Sequence, residues 1–360
     1  MNRNTQQLNN LGQRLWLDNI SREILVNGTL AHYISEFSVT GLTSNPTIFE
    51  KAIGSGSFYD DAIRALKRQG RSGEDLFFAL ARQDLQQAAD LFRPVHDATG
   101  GVDGWVSLEV SPLMADDTAS TVQAAAQLYR DGARPNLFIK IPGTPAGVPA
   151  IEESIFAGVP TNVTLLFSRE QYVAAAQAYL RGVERRIAAG LDPKVRSVAS
   201  LFVSRWDVAV KGRVASPLHN RLGIAVALRT YQAYRDLLES AHWLELAKAG
   251  AYPQRLLWAS TGTKDPAASD TLYMDALAAP DTINTVPAAT LKAFADHGKV
   301  GAIMPVDGGS AEAVLEEFRR AGVDDDALAR QLQREGTDAF SKSWKSMLSK
   351  IVEKSALLAA

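Results

Sequence analysis

A single lysine, Lys140, interrupts the apolar run "NLFIKIPGT" at 136–144, which otherwise reads as a buried strand. Taking an ammonium out of water disfavours its charged form, so a lysine held among apolar strands can react as a neutral amine. Such an amine attacks a ketone to give a Schiff base, whose iminium nitrogen withdraws electrons as an adjacent C–C bond breaks to an enamine. That is class I aldol chemistry. It needs one carboxylate to take the proton from the hydroxyl at the breaking bond, and a second acid–base system to move water in and out of the carbinolamine. Asp18, at the end of "RLWLD", and Glu109, within "WVSLEVSP", offer two carboxylates from two other apolar runs.

These groups cooperate only if a fold brings distant strands together. Short β-branched or apolar runs recur at 14–18, 39–46, 105–112, 137–142, 159–167, 197–204, 256–261 and 282–287. Between them lie helical patterns, several closed by glycine and two opened by proline. Among them, "GIAVALRTYQAYRDLLESAHWLELAKAG" reads as one helix, whereas "KAIGSGSFYDDA" (51–62) reads as a flexible loop. Eight strands alternating with helices predict an α/β fold, a parallel (β/α)8 TIM barrel, with an open doubly wound sheet as the alternative. Residues 1–360 read as one domain. In it, 1–12 form a helical lead-in and 310–356 two appended C-terminal helices, a cover whose second helix is capped by "VDDDA". The acidic pairs at 116–117 and 152–153 read as first turns of helices, where carboxylates suit the dipole.

In such a barrel, polar residues toward the C-terminal ends of strands face the active site. That rule selects Asp18, Asn45, Glu109, Lys140, Asn162, Thr164, Ser200, Arg205 and Ser260. Plainer readings stand beside it. Asp18 and Asn45 suit helix N-caps, with Pro46 in the first turn. Thr164 and Ser200 suit ordinary strand positions, and Glu109 with Lys140 suits a buried structural ion pair. The joint placement at strand ends favours the chemical reading.

Composition narrows the partners. With 38 Lys+Arg against 40 Asp+Glu the formal charge is -2, which lacks the basic footprint of nucleic-acid binding. No run approaches the length of a membrane span and the N-terminus has no signal-like apolar stretch, so a cytoplasmic protein is expected. The absence of cysteine excludes disulfides and thiolate chemistry, and the five histidines show no metal-ligand spacing.

The residues also resemble a known family. "LWLDNISR" (15–22), "GLTSNPTIFEKAI" (41–53), "SLEVSP" (107–112), "LFIKIPGT" (137–144), "TNVTLLFS" (161–168), "ASLFVSRWD" (199–207) and "WASTGTKDP" (258–266) together closely resemble the longer bacterial transaldolases of the pentose phosphate pathway. The resemblance implies that Lys140 is the Schiff-base lysine and Asp18 the acid–base group for C–C cleavage. Glu109 and Thr164 match the pair that hold and polarise the catalytic water. Asn45 and Asn162 match groups that orient the dihydroxyacetone part, with Ser200 and Phe202 lining its pocket. Arg205 matches the arginine that grips the substrate phosphate, with Ser260 beside it. The shorter transaldolases carry a serine and, two residues on, an arginine after the seventh strand; "STGTK" stands here instead. Lys264 is therefore expected as the second cation, helped by backbone amides at Gly262.

The resemblance implies transfer of a dihydroxyacetone unit from sedoheptulose 7-phosphate or fructose 6-phosphate to glyceraldehyde 3-phosphate or erythrose 4-phosphate. Sugar phosphates are the expected partners, with the chain a monomer or homodimer. No metal or organic cofactor is expected, because the iminium is the electron sink. Two competing readings stay open: a plain class I aldolase that releases free dihydroxyacetone, and a non-enzymatic sugar-phosphate sensor on the same barrel.

Overall fold

The computed structural model describes residues 1–358; the last two residues of the expected domain lie outside them. The eight apolar runs form the strands β1 (Arg14–Asp18), β2 (Val39–Thr43), β3 (Trp105–Glu109), β4 (Leu137–Pro142), β5 (Thr161–Leu166), β6 (Ser197–Phe202), β7 (Gln254–Ala259) and β8 (Ile283–Val286). All pair in parallel and in chain order, and β1 meets β8 to close the barrel. The open-sheet alternative is thereby set aside. Nearly every strand residue is buried, as expected of strands covered by helices on one face and packed side chains on the other.

Gly41 shows how tightly the first strands approach. A Cβ there would lie 2.6 Å from Cε2 of Trp16 and 2.7 Å from the carbonyl of Trp105, so only glycine fits. Along the ladder, Glu109 pairs with Lys140 and Lys140 with Asn162, which sets three polar side chains side by side. Further along, the register of β5 on β6 slips between Val163 and Leu166, and Leu165 adopts φ +59°.

The helices depart from the sequence reading in three places. The stretch 51–62 is not a loop throughout: its ends belong to helices Pro46–Gly54 and Asp60–Arg68, leaving only a short connection between them. The long pattern before β7 is two helices, Leu222–Glu239 and Ala241–Lys248, because Ser240 takes an extended ψ of 144° and caps the second by accepting from Trp243 N–H. Glu152 and Glu153 lie in the later part of helix Gly147–Phe156, not its first turn; they pair instead with Arg181 and Arg185 at 2.6–3.0 Å. Asp117, in contrast, is the N-cap of helix Thr118–Gly132, accepting from Ser120 N–H at 3.0 Å.

After β8 and its helix Ala288–His297 come helix Ala311–Arg320 and helix Asp325–Leu357, the latter capped by Asp324 with Asp325 and Asp326 in its first turn. At 33 residues the last helix is about 50 Å long. It runs across the C-terminal ends of the strands. Thr47 meets Ser343 at 2.8 Å, Trp344 donates to Glu74 at 2.8 Å, and Lys350 donates to Glu50 at 2.9 Å. Arg229, from the barrel's outer layer, holds Glu312 and Asp325 together at the helix start. No helix among the described residues is long and apolar enough to cross a membrane.

Candidate active site

A cleft of about 590 Å³ opens at the C-terminal ends of the strands. Asp18, Asn45, Lys140, Thr164, Ser200, Phe202, Arg205, Ser260 and Lys264 all line it. Nine of the eleven residues singled out from sequence thus converge from six strand ends. Glu109 and Asn162 lie just beneath, bonded to the residues that line the wall.

Lys140 and Glu109 are adjacent on the ladder, and their side chains are only 6% and 5% exposed. Nζ stands 3.2 Å from Glu109 Oε2 and donates to the carbonyl of Ser44 at 2.9 Å. That carbonyl is held in place because the Ser44 hydroxyl donates to Ser107 O at 2.8 Å, tying the end of β2 to β3. The Lys140–Glu109 contact is ionic in distance, but its angle leaves Oε2 without a hydrogen bond. Thr164 Oγ1 is likewise buried and finds no hydrogen-bond partner among the described residues. Burial pushes the Glu109 carboxyl above the usual range, with the Lys140 ammonium opposing and Asp18 adding to the shift. The arrangement places a carboxylate where it can take a proton from the amine and pass it on to a small polar species.

Asp18 ends β1 and is not a helix cap, since the next helix, Arg22–Val26, is capped by Ser21. Its Oδ1 accepts from Thr43 Oγ1 at 2.9 Å, and Thr43 meets Thr285 Oγ1 at 2.7 Å. Thr43 spends its one proton on Asp18, so Thr285 must donate to Thr43. Burial raises the Asp18 carboxyl, while Lys140, the Thr43 bond and Lys264 pull it back. A carboxyl so placed, beside the amine at the floor of the cleft, is positioned to take up and return a proton.

Asn45 satisfies both of its readings. Its side chain caps helix Pro46–Gly54 by accepting from Ile48 N–H at 3.0 Å, and the same residue lines the cleft. Asn162 is committed on both sides, donating to Ser107 Oγ at 3.1 Å and accepting from Ser200 Oγ at 2.7 Å.

Two cations mark the far end. Among the described residues neither Arg205 nor Lys264 has a carboxylate within ion-pair distance. Arg205 lies against the rings of Phe202, 5.2 Å away, and Phe340, 5.9 Å away, and burial lowers its affinity for its proton. An unpaired guanidinium in such a place is a ready site for a phosphate. Lys264 is exposed, and a Cβ on Gly262 would lie 3.7 Å from its Nζ. Ser260, at φ +55°, joins its hydroxyl to that of Ser204 at 2.9 Å and so fixes the turn beside Arg205.

Phe340, Thr43, Thr285 and the Ser44 carbonyl were not singled out from sequence. Thr43 and Thr285 look like any strand threonine, although each stands at a strand end, the one signal that would have found them. Phe340 sits in an amphipathic helix 200 residues from Lys140 and reads as core.

Residues 15–351 match the family described as Transaldolase/Fructose-6-phosphate aldolase. A transaldolase of Thermobifida fusca (strain YX) is 45% identical over 357 residues, covering 97% of each chain. One of Parafrankia sp. (strain EAN1pec) is 45% identical over 362 residues, covering 98% of each. The Transaldolase 2 of Nostoc punctiforme (strain ATCC 29133 / PCC 73102) is 39% identical over 368 residues, covering 97% of this chain and 96% of its own. With a match spanning nearly its whole length, the chain belongs to the transaldolase/fructose-6-phosphate aldolase family.

Proposed function

We propose that the protein is a transaldolase of the non-oxidative pentose phosphate pathway. It moves a dihydroxyacetone unit from sedoheptulose 7-phosphate or fructose 6-phosphate to glyceraldehyde 3-phosphate or erythrose 4-phosphate through a Schiff base on Lys140. The observation that carries the reading is a buried amine set against a carboxylate, in a cleft that ends at an unpaired arginine.

Arg205 and Lys264 bind the donor's phosphate, while Asn45, Asn162 and Ser200 orient its dihydroxyacetone end. The Lys140 amine attacks C2. Glu109 and Thr164 hold a water between them, Glu109 Oε2 having no hydrogen bond beside its ionic contact with Lys140 and Thr164 Oγ1 having none, and relay protons as the carbinolamine loses water to the iminium. Asp18 then takes the proton from the C4 hydroxyl, the C3–C4 bond breaks, and its electrons pass to the iminium as the enamine forms. An aldose phosphate replaces the departing aldehyde, and the steps run backward. The iminium provides the electron sink, so the sequence of steps calls for no metal or organic cofactor. The reading carries with it a cytoplasmic setting and a chain acting as monomer or homodimer.

The family description also names fructose-6-phosphate aldolase, which keeps a second reading: the same lysine releasing free dihydroxyacetone. Incubation with fructose 6-phosphate and erythrose 4-phosphate separates the two. Sedoheptulose 7-phosphate and glyceraldehyde 3-phosphate are the expected products. Free dihydroxyacetone without transfer would establish the aldolase, and no reaction would contradict both.

A further inference from the structure

One stripe of the last helix meets three different parts of the site. Gln333, Gly336 and Phe340 follow at spacings of three and four, which places them on one helical face. Gln333 is buried and donates through Nε2 to the carbonyls of Gly143, at 2.8 Å, and Leu165, at 3.0 Å. Leu165 is the left-handed residue of the β5 register slip, next to Thr164, and Gly143 N–H donates to Thr164 O at 2.7 Å. Gln333 therefore clasps the two chain segments that follow Lys140 and Thr164. Gly336 allows close approach: a Cβ there would lie 2.9 Å from Leu165 Cδ2 and 3.4 Å from Arg205 Nη1. The Phe340 ring is 5.9 Å from Lys140 Nζ, 5.9 Å from Arg205 Cζ and 6.5 Å, edge-on, from the ring of Phe202.

We propose that this stripe is a specificity-determining wall, in which Phe340 keeps water from the enamine on Lys140 and Gln333 is the positioning residue that seats it. The proposal rests on the Schiff-base reading above. The enamine has two fates. Its nucleophilic carbon bonds to the carbonyl carbon of an aldose phosphate, the aldehyde oxygen taking a proton and the iminium re-forming; water then adds across C=N and the C–N bond breaks, releasing the new ketose phosphate and the Lys140 amine. Alternatively the same carbon takes a proton from water, restoring an iminium; one water then adds across C=N, and the C–N bond breaks to release dihydroxyacetone and the Lys140 amine. An apolar ring over the amine of the buried Lys140 disfavours the second fate by excluding the proton donor.

The test measures free dihydroxyacetone released per sedoheptulose 7-phosphate formed, using the full chain with fructose 6-phosphate and erythrose 4-phosphate. Phe340→Ala is expected to raise this ratio roughly tenfold, and Phe340→Leu, which keeps most of the apolar volume, to stay within about threefold of wild type. Gln333→Met removes both donated bonds at similar volume and shifts the ratio in the same direction as Phe340→Ala. Lys342→Ala, on an exposed position of the same helix, leaves it unchanged. A helix that merely stabilises the fold would depress transfer and release together and leave the ratio where it was. Should Phe340→Ala fail to fold, Phe340→Val must show the rise. An unchanged ratio in a folded variant, while wild type still forms a borohydride-trapped adduct, overturns the wall and spares the Schiff base. Failure of wild type to form that adduct overturns both.

Discussion

In the proposed mechanism Lys140 and Asp18 divide the reaction between them, and single substitutions separate their shares. Lys140→Ala is expected to abolish turnover while the protein still folds, and its stability should depend on pH in a particular sense. Glu109 is raised by burial and loses its main opposing charge in this variant. A carboxyl whose native pKa is raised favours the fold when protonated, so its contribution is complete below the unfolded value and is lost as pH rises through the native one. Thermal melts should therefore place Lys140→Ala near wild type in acid and progressively below it toward neutral and basic pH. Asp18→Asn should still form the Schiff base but not cleave it. Turnover is expected to fall by roughly 10² to 10⁴, and intact-mass spectra after borohydride should show the six-carbon phosphate retained. Because burial raises Asp18, the acidic limb of kcat/KM should lie above that of an ordinary aspartate. Thr43→Val, which removes the bond favouring the carboxylate, should move that limb higher still; a limb moved downward would contradict the base assignment. At this scale the sequence was legible where a residue type was out of place. A lysine in an apolar strand is such a signal; Thr43 and Thr285 offer only their strand-end position, and Phe340, in an amphipathic helix, offers none.

Secondary-structure elements carry these residues to the cleft, and one of them does so through a cap. Asn45 both starts helix Pro46–Gly54 and lines the site, and two substitutions take its roles apart. Asn45→Ala loses the cap and should cost about 1 kcal/mol in denaturant unfolding. Asn45→Asp caps as well as asparagine, so stability should persist while a new negative charge beside the substrate lowers kcat/KM. Equal losses of stability in both variants would mean that capping does not explain the position. Strand positions were readable because barrel strands are buried on both faces and so appear as short unbroken apolar runs. Helix boundaries were harder. Ser240 breaks a helix whose apolar periodicity runs on through it, and Glu152 with Glu153 mimic a first turn while answering to arginines on the following helix. Their partners are set by packing between helices, which spacing along the chain does not reveal.

At the scale of the molecule, the barrel depends on close approach at its seam-free wall, and the cleft on a helix that returns over it. Gly41→Ala forces a methyl into the Trp16 ring and the Trp105 carbonyl, and a loss of about 1–3 kcal/mol in unfolding free energy is expected from denaturant titration. The alternation of eight strands with helices favoured a closed barrel over an open sheet, and the cap in "VDDDA" marked the start of the last helix. Where the last helix lands was not, because it is fixed by contacts such as Gln333 to Gly143 and Trp344 to Glu74 between residues far apart in the chain. The central claim, that Lys140 carries the substrate as a Schiff base, is tested most directly by borohydride reduction in the presence of fructose 6-phosphate, followed by peptide mapping. A three-carbon adduct on Lys140 is the expected result, lost in Lys140→Ala; an unmodified Lys140, or an adduct on another lysine with turnover intact, would contradict it.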